Sequence, residues 1–109
     1  MFEGAYYYRA AIYARQGNFT QAIADYSKII KDLPNYWIAY NKRGETYFSQ
    51  GNFTQAISDF NKAIKINPNY EGNYYYRGDL YKKLKIIPTS PLPQHTSPNI
   101  APYLRIPHL

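Results

Sequence analysis

The chain contains no cysteine, which excludes disulfides, thiolate metal sites and cysteine nucleophiles. Histidine is almost absent: His95 and His108 are the only two, and neither has a cluster of carboxylates near it in sequence. No run of about eighteen apolar residues occurs, so no helical membrane span is expected. The opening residues, Met1-Phe2-Glu3-Gly4, lack the basic stretch leading into an apolar run that a secretory signal requires. A cytoplasmic location is therefore the default expectation. There is no glycine loop of the phosphate-cradling type, no nucleophile motif and no metal-ligand spacing. The composition points to a protein that does no covalent chemistry and needs no cofactor or metal.

Acidic side chains are also few, seven against thirteen basic ones, which leaves a net charge of +6. The basic residues are scattered, and their tightest cluster is Lys82, Lys83 and Lys85. Such a surface reads first as a solvated basic face. An acidic partner, an anionic membrane surface or nucleic acid are the alternatives. A nucleic-acid reading would use Lys82, Lys83, Lys85 and Arg105 for phosphates and tyrosine rings for stacking.

What the chain does have is tyrosine, fourteen of its 109 residues, within an apolar share of 45%. It also has a period. Residues 3–36 laid on 37–70 agree at nineteen of thirty-four positions. The longest shared block is Gln16-Gly17-Asn18-Phe19-Thr20-Gln21-Ala22-Ile23, repeated from Gln50 to Ile57. A third copy opens with Glu71-Gly72-Asn73-Tyr74-Tyr75-Tyr76-Arg77 and fails after Tyr81. A fixed period of this length is the mark of a stacked repeat architecture.

Each full unit reads as two helices. The first runs over about Tyr6–Gln16 and Ala39–Gln50, with Tyr6/Tyr13 and Tyr40/Tyr47 two turns apart on one face. Gly17 and Gly51 stop it, because glycine tolerates the left-handed conformation. Asn18 and Asn52 are expected as N-caps of the second helix, with Gln21 and Gln55 completing capping boxes. Ala22, Ile23, Tyr26, Ile29 and Ile30 form its apolar stripe, and Pro34 and Pro68 end each unit. Ala10, Gly44 and Gly78, with Ala22 and Ala56, are small where two helices must approach closely. Arg9 and Arg43 are expected to pair with Asp25 and Asp59 between the helices of one unit, an anion-binding arginine ladder being the alternative.

These residues resemble the tetratricopeptide repeat family. Tyr6, Ala10, Tyr13, Ala22, Tyr26, Ile29 and Pro34 follow its pattern of aromatic, small and proline positions. Tyr40, Gly44, Tyr47, Ala56, Phe60, Ala63 and Pro68 follow it again, and Tyr74, Gly78 and Tyr81 begin a third time. The family usually has leucine where this chain has Arg9, Arg43 and Arg77. The resemblance implies an all-α helical-repeat solenoid of about two and a half repeats and five helices. The domain covers 1–87 (repeats 3–36 and 37–70, partial repeat 71–87), and 88–109 forms a tail.

Stacked helix pairs curve, and the concave face is a binding surface. The resemblance places there Tyr7, Tyr8 and Ala11 from the first repeat, Asn41, Lys42, Glu45 and Phe48 from the second, and Tyr75, Tyr76, Asp79 and Lys82 from the helix of the partial third repeat. It implies a protein-interaction module or scaffold that binds a peptide. Asn41 would hydrogen-bond the peptide backbone, and Tyr7, Phe48 and Tyr75 would anchor it. Some relatives grip a chaperone's C-terminal carboxylate with lysine, asparagine and arginine. At those five positions this chain has Tyr7, Ala11, Lys42, Gly72 and Tyr76, so no clamp of that type is expected.

The tail holds six of the eight prolines and reads as an unstructured, polyproline-prone end. Pro88-Thr89-Ser90-Pro91 fits a PxxP ligand, and folding back over the groove is a third reading. The abrupt failure of the third repeat also fits a piece of a longer array. Leu80, Leu84, Ile86 and Ile87 are candidates for self-association.

Overall fold

A computed structural model of the chain describes residues 2–84. Five helices follow one another: α1 Glu3–Arg15, α2 Phe19–Asp32, α3 Trp37–Gln50, α4 Phe53–Ile66 and α5 Glu71–Leu84. No strand occurs among the described residues. Each helix packs against its neighbour in sequence, α1 on α2, α2 on α3, α3 on α4 and α4 on α5. The result is a helical-repeat array of two complete pairs and one further helix. The tail readings, including the PxxP motif, concern residues outside those described.

The first helices begin two to three residues earlier than the tyrosine spacing suggested, at Glu3 and Trp37. Their ends follow from glycine. Gly17 and Gly51 take φ of +79° and +86°, a region that costs other residues dearly. In the first turn, the Gly17 amide donates to the Ala14 carbonyl at 3.1 Å and the Asn18 amide to the Tyr13 carbonyl at 2.8 Å. This is the double bond of a Schellman motif. Gly51 and Asn52 repeat it on Phe48 and Tyr47.

That turn overrides the expected capping boxes. Asn18 and Asn52 do occupy the N-cap positions, but neither side chain caps its helix. A capping box needs the N-cap residue's own amide, and here the preceding helix has already taken it. The Asn18 side chain instead lies 3.4 Å from Gln16 Oε1, as donor.

Small residues allow the close approach. Ala10, Ala22, Ala39, Ala56 and Ala63 are fully buried. A Cβ built on Gly44 would sit 3.1 Å from two ring carbons of Phe60. Phe60 is itself buried and stacked on Tyr76, with centroids 5.3 Å apart, so it has no room to retreat.

The arginine pairing expected between helices is present. Arg9 donates through Nε and Nη2 to both oxygens of Asp25, each at 2.8 Å. Arg43 does the same to Asp59 at 2.8 and 2.7 Å. Its remaining nitrogen, Nη1, reaches back to Ser27 Oγ of the preceding repeat at 3.0 Å. Each guanidinium is also flanked by two tyrosines, Arg9 by Tyr6 and Tyr13, Arg43 by Tyr40 and Tyr47. The Asp59 bond holds Arg43 firmly protonated, above its ordinary pKa.

Leu80 is not available for self-association. It is 0% exposed and packs with Ala56 and Phe60, because α5 turns that side chain onto α4. Leu84 is half-buried, and Ile86 and Ile87 lie outside the described residues.

Three substitutions test this packing. Gly44→Val should destabilise the fold by about 2 kcal/mol, because the added carbons meet a ring that cannot move. Asp59→Ala should cost about 3 kcal/mol by stranding the Arg43 charge. Asp25→Ala should cost less, since Arg9 is far more exposed than Arg43. Urea denaturation followed by circular dichroism reads all three, and equal losses for the two aspartates would contradict the burial argument.

Candidate functional site

The helix faces left over from packing form a groove. A cavity of about 230 Å³ opens between α1 and α3, floored by the start and middle of α2. Tyr7, Ala11 and Ala14 line it from α1, Phe19 and Tyr26 from α2, and Lys42, Glu45, Thr46 and Ser49 from α3. The α1 residues are four and three apart, and the α3 residues follow the same helical spacing, so each helix presents one face.

Four of the residues expected on the concave surface, Tyr7, Ala11, Lys42 and Glu45, meet at this cavity. Tyr8 does not line it and is largely exposed, its ring edge-on to Tyr7 at 5.9 Å. Phe48 and Tyr76, on α3 and α5, do not line the cavity, and their ring centroids lie 6.3 Å apart. Lys82 is exposed and Asp79 half-buried on the same last helix. Tyr75 is partly exposed and stands edge-on to Tyr76.

Asn41 departs from its expected role. It is 2% exposed, and its amide donates to Asn73 Oδ1 at 2.6 Å. That bond ties α3 to α5 across repeats, which leaves the side chain inside the protein, away from any peptide backbone. Ala14, Phe19, Tyr26, Thr46 and Ser49 were not anticipated at the groove. Helical spacing from Ala11 and from Lys42 would have reached Ala14, Thr46 and Ser49. Phe19 and Tyr26 carry no such signal, because they enter from the second helix.

The groove has one charge of each sign. Lys42 Nζ lies 3.8 Å from Glu45 Oε1. Burial pushes the Glu45 carboxyl above the ordinary carboxylate range, and Lys42 pulls it back only in part. Burial likewise pushes the Tyr26 hydroxyl up to about 12, with Tyr7 and Glu45 adding to the effect. The Glu45 charge is the main cause raising the Tyr76 hydroxyl. Glu45 is thus the electrostatic centre of the surface. Tyr26 remains a neutral hydrogen-bond donor at physiological pH. Among the described residues no three histidine, cysteine or acidic side chains gather as a metal site, and no helix is long and apolar enough to cross a membrane.

A model of the tetratricopeptide repeat matches residues 37–70, and a TPR repeat model matches residues 10–51. Together they run over 10–70, more than half of the 109 residues. The chain belongs to the tetratricopeptide repeat family. Solved structures of tetratricopeptide domains share its fold. The first TPR of Spaghetti (RPAP3), bound to the HSP90 peptide SRMEEVD, is similar over 76% of this chain and 66% of that one, at 28% identity and a TM-score of 0.73. The TPR2B domain of yeast Sti1, in a pHsp70 complex, is similar over the same shares at 24% identity and a TM-score of 0.72. This chain therefore spans just under two thirds of either domain chain. No curated protein sequence matches it.

In this tetratricopeptide groove the raised Glu45 pKa has a measurable sign. The folded state favours the neutral carboxyl. Its stabilising contribution is full below the unfolded pKa and is lost as pH rises through the folded one. Glu45→Gln should therefore melt higher than the parent at pH 7, and the gap should close below about pH 4. Thermal denaturation at the two pH values checks this, and a gap that is unchanged with pH would contradict it.

Proposed function

We propose that the groove between α1 and α3 binds an extended peptide through one anchoring side chain. The observation that carries this reading is the cavity itself. At about 230 Å³ it is smaller than the usual small-molecule site, and it suits a single bulky side chain. Tyr7, Phe19 and Tyr26 supply aromatic wall, and Lys42 and Glu45 stand ready to meet polar groups of the peptide. Phe48, Tyr76 and Tyr75, on α3 and α5, would offer aromatic surface to further residues of the same ligand. Membership of a family of repeat domains whose solved relatives hold peptides supports an interaction role without catalysis.

The ligand we propose is not a chaperone C-terminus gripped by its carboxylates. The RPAP3 domain's peptide, SRMEEVD, is acidic at its end. Such an end needs several cations, and here Lys42 is the one basic residue lining the cavity, already beside Glu45. A peptide presenting an apolar or aromatic side chain, with a hydrogen-bonding neighbour, matches the walls better.

Selection from a random peptide display library tests the reading. Peptides enriched on the parent chain should bind Ala11→Trp, which fills the cavity, at least roughly tenfold more weakly, a change of about 1.4 kcal/mol. Circular dichroism should show the variant folded. The affinity should fall only gently with salt, because one cation lines the site. Equal binding to both forms would remove the cavity from the function, and a steep salt dependence would favour a polyanion instead.

A further inference from the structure

The repeat carries its own template for what the cavity holds. The gap between α1 and α3, floored by α2, recurs one period on between α3 and α5, floored by α4. Aromatic rings fill that second gap. The Tyr76 ring lies nearly flat on Phe60, with centroids 5.3 Å apart and planes 8° from parallel. Phe48 completes the cluster, 6.3 Å from Tyr76 and 5.6 Å from Phe53.

One period earlier two of those rings are replaced. Ala14 stands for Phe48 and Lys42 for Tyr76, and both line the cavity. One ring is gained, because Tyr7 stands for Asn41. It lies edge-on to Tyr26, the counterpart of Phe60, at 6.1 Å. The balance leaves the first gap one aromatic ring short of the second, in a fold whose interior is otherwise close-packed. The space is open to a visitor. Ala11, Ala14, Phe19, Lys42 and Glu45 around it are half-buried and Ser49 is exposed.

The polar groups of the cavity are unequal in what they can offer. Thr46 Oγ1 already donates its hydrogen to the Lys42 carbonyl at 2.8 Å. Lys42 Nζ, at 3.8 Å, is outside hydrogen-bond distance of Glu45 Oε1. The Glu45 carboxylate thus gets no hydrogen bond from Lys42 and has lone pairs to offer a ligand. In a half-buried place such a bond is stronger than in water.

We infer that the cavity reads an unphosphorylated tyrosine of its peptide partner, the ring taking the place left by Ala14 and Lys42 and the hydroxyl donating to Glu45. This narrows the peptide reading of the groove and rests on it. Leucine has neither the flat shape nor the ring-edge contacts that Tyr7, Phe19 and Tyr26 provide for. Phenylalanine fills the space but brings no donor to Glu45. Phosphotyrosine brings up to about two negative charges against Glu45, with Lys42 as the one cation of the lining. Phosphorylation of the partner therefore releases it.

Short degenerate peptide libraries, identical except for a fixed central tyrosine, phenylalanine, leucine or phosphotyrosine, test this on the immobilised full chain. The tyrosine library should be retained roughly fivefold better than the phenylalanine one and roughly tenfold better than the leucine one. Phosphotyrosine should fall to background. Ala14→Phe puts into the first gap the ring that Phe48 supplies to the second, so it should melt no lower than the parent and lose the tyrosine library. Ala11→Trp serves the same purpose if that variant folds poorly. Glu45→Gln should narrow the preference for tyrosine over phenylalanine and raise retention of phosphotyrosine, which a merely structural role for Glu45 would not do. Retention that the filled cavity abolishes, but that is equal for tyrosine and leucine or no weaker for phosphotyrosine, overturns the tyrosine reading and leaves the peptide reading standing. Retention that is absent, or that the filled cavity does not alter, overturns both.

Discussion

The bidentate bond from arginine to aspartate, sandwiched between two tyrosines, sets the geometry of each repeat. A guanidinium and a carboxylate meet through two hydrogen bonds, both near 2.8 Å. That contact fixes the register of the first helix on the second. The tyrosine pair fixes the arginine stem, and the third nitrogen of Arg43 ties its repeat to the one before. Once the helices are locked in this register, Gly44 faces the Phe60 ring and no larger residue fits. Buried ion pairs are costly to form, and their commonest value is in specifying one arrangement over its neighbours. Here the same arrangement is specified twice.

The groove is a by-product of that packing and is coloured by it. With Arg9 and Arg43 turned towards the second helices, the opposite sides of α1 and α3 are left facing each other. Tyr7 and Ala11 look across at Lys42 and Glu45, and Tyr26 closes the floor. The structural charges are thus kept away from the cavity, whose lining has the Lys42–Glu45 pair as its charged residues. Core and cavity share a tyrosine: Tyr26 belongs to the buried cluster and still lines the cavity.

Much of this was legible in the sequence because a repeat states each requirement twice. Glycine at the turns, proline at the unit ends, small residues at the contacts and arginine with aspartate sixteen residues on all recur at one period. The asparagine caps misled because capping is judged on a single residue. The competing bond, from the Asn18 amide to the Tyr13 carbonyl, belongs to the previous helix. Asn41 misled for a related reason. Its helical position alone suggests a groove residue, while its partner, Asn73, lies thirty-two residues away. Phe19 and Tyr26 escaped notice at the groove because their presence there depends on the splay between α1 and α3, which no local pattern encodes.

The packing order described above, each helix on its neighbour in sequence, also governs how the chain reaches this structure. Nearly all of its tertiary contacts close loops of a few tens of residues, so the entropy lost before the first stabilising contact is small. Low contact order of this kind goes with folding in microseconds to milliseconds. Among the described helices the α3–α4 pair has neighbours on both sides, and so the middle of the array is the natural place for structure to nucleate.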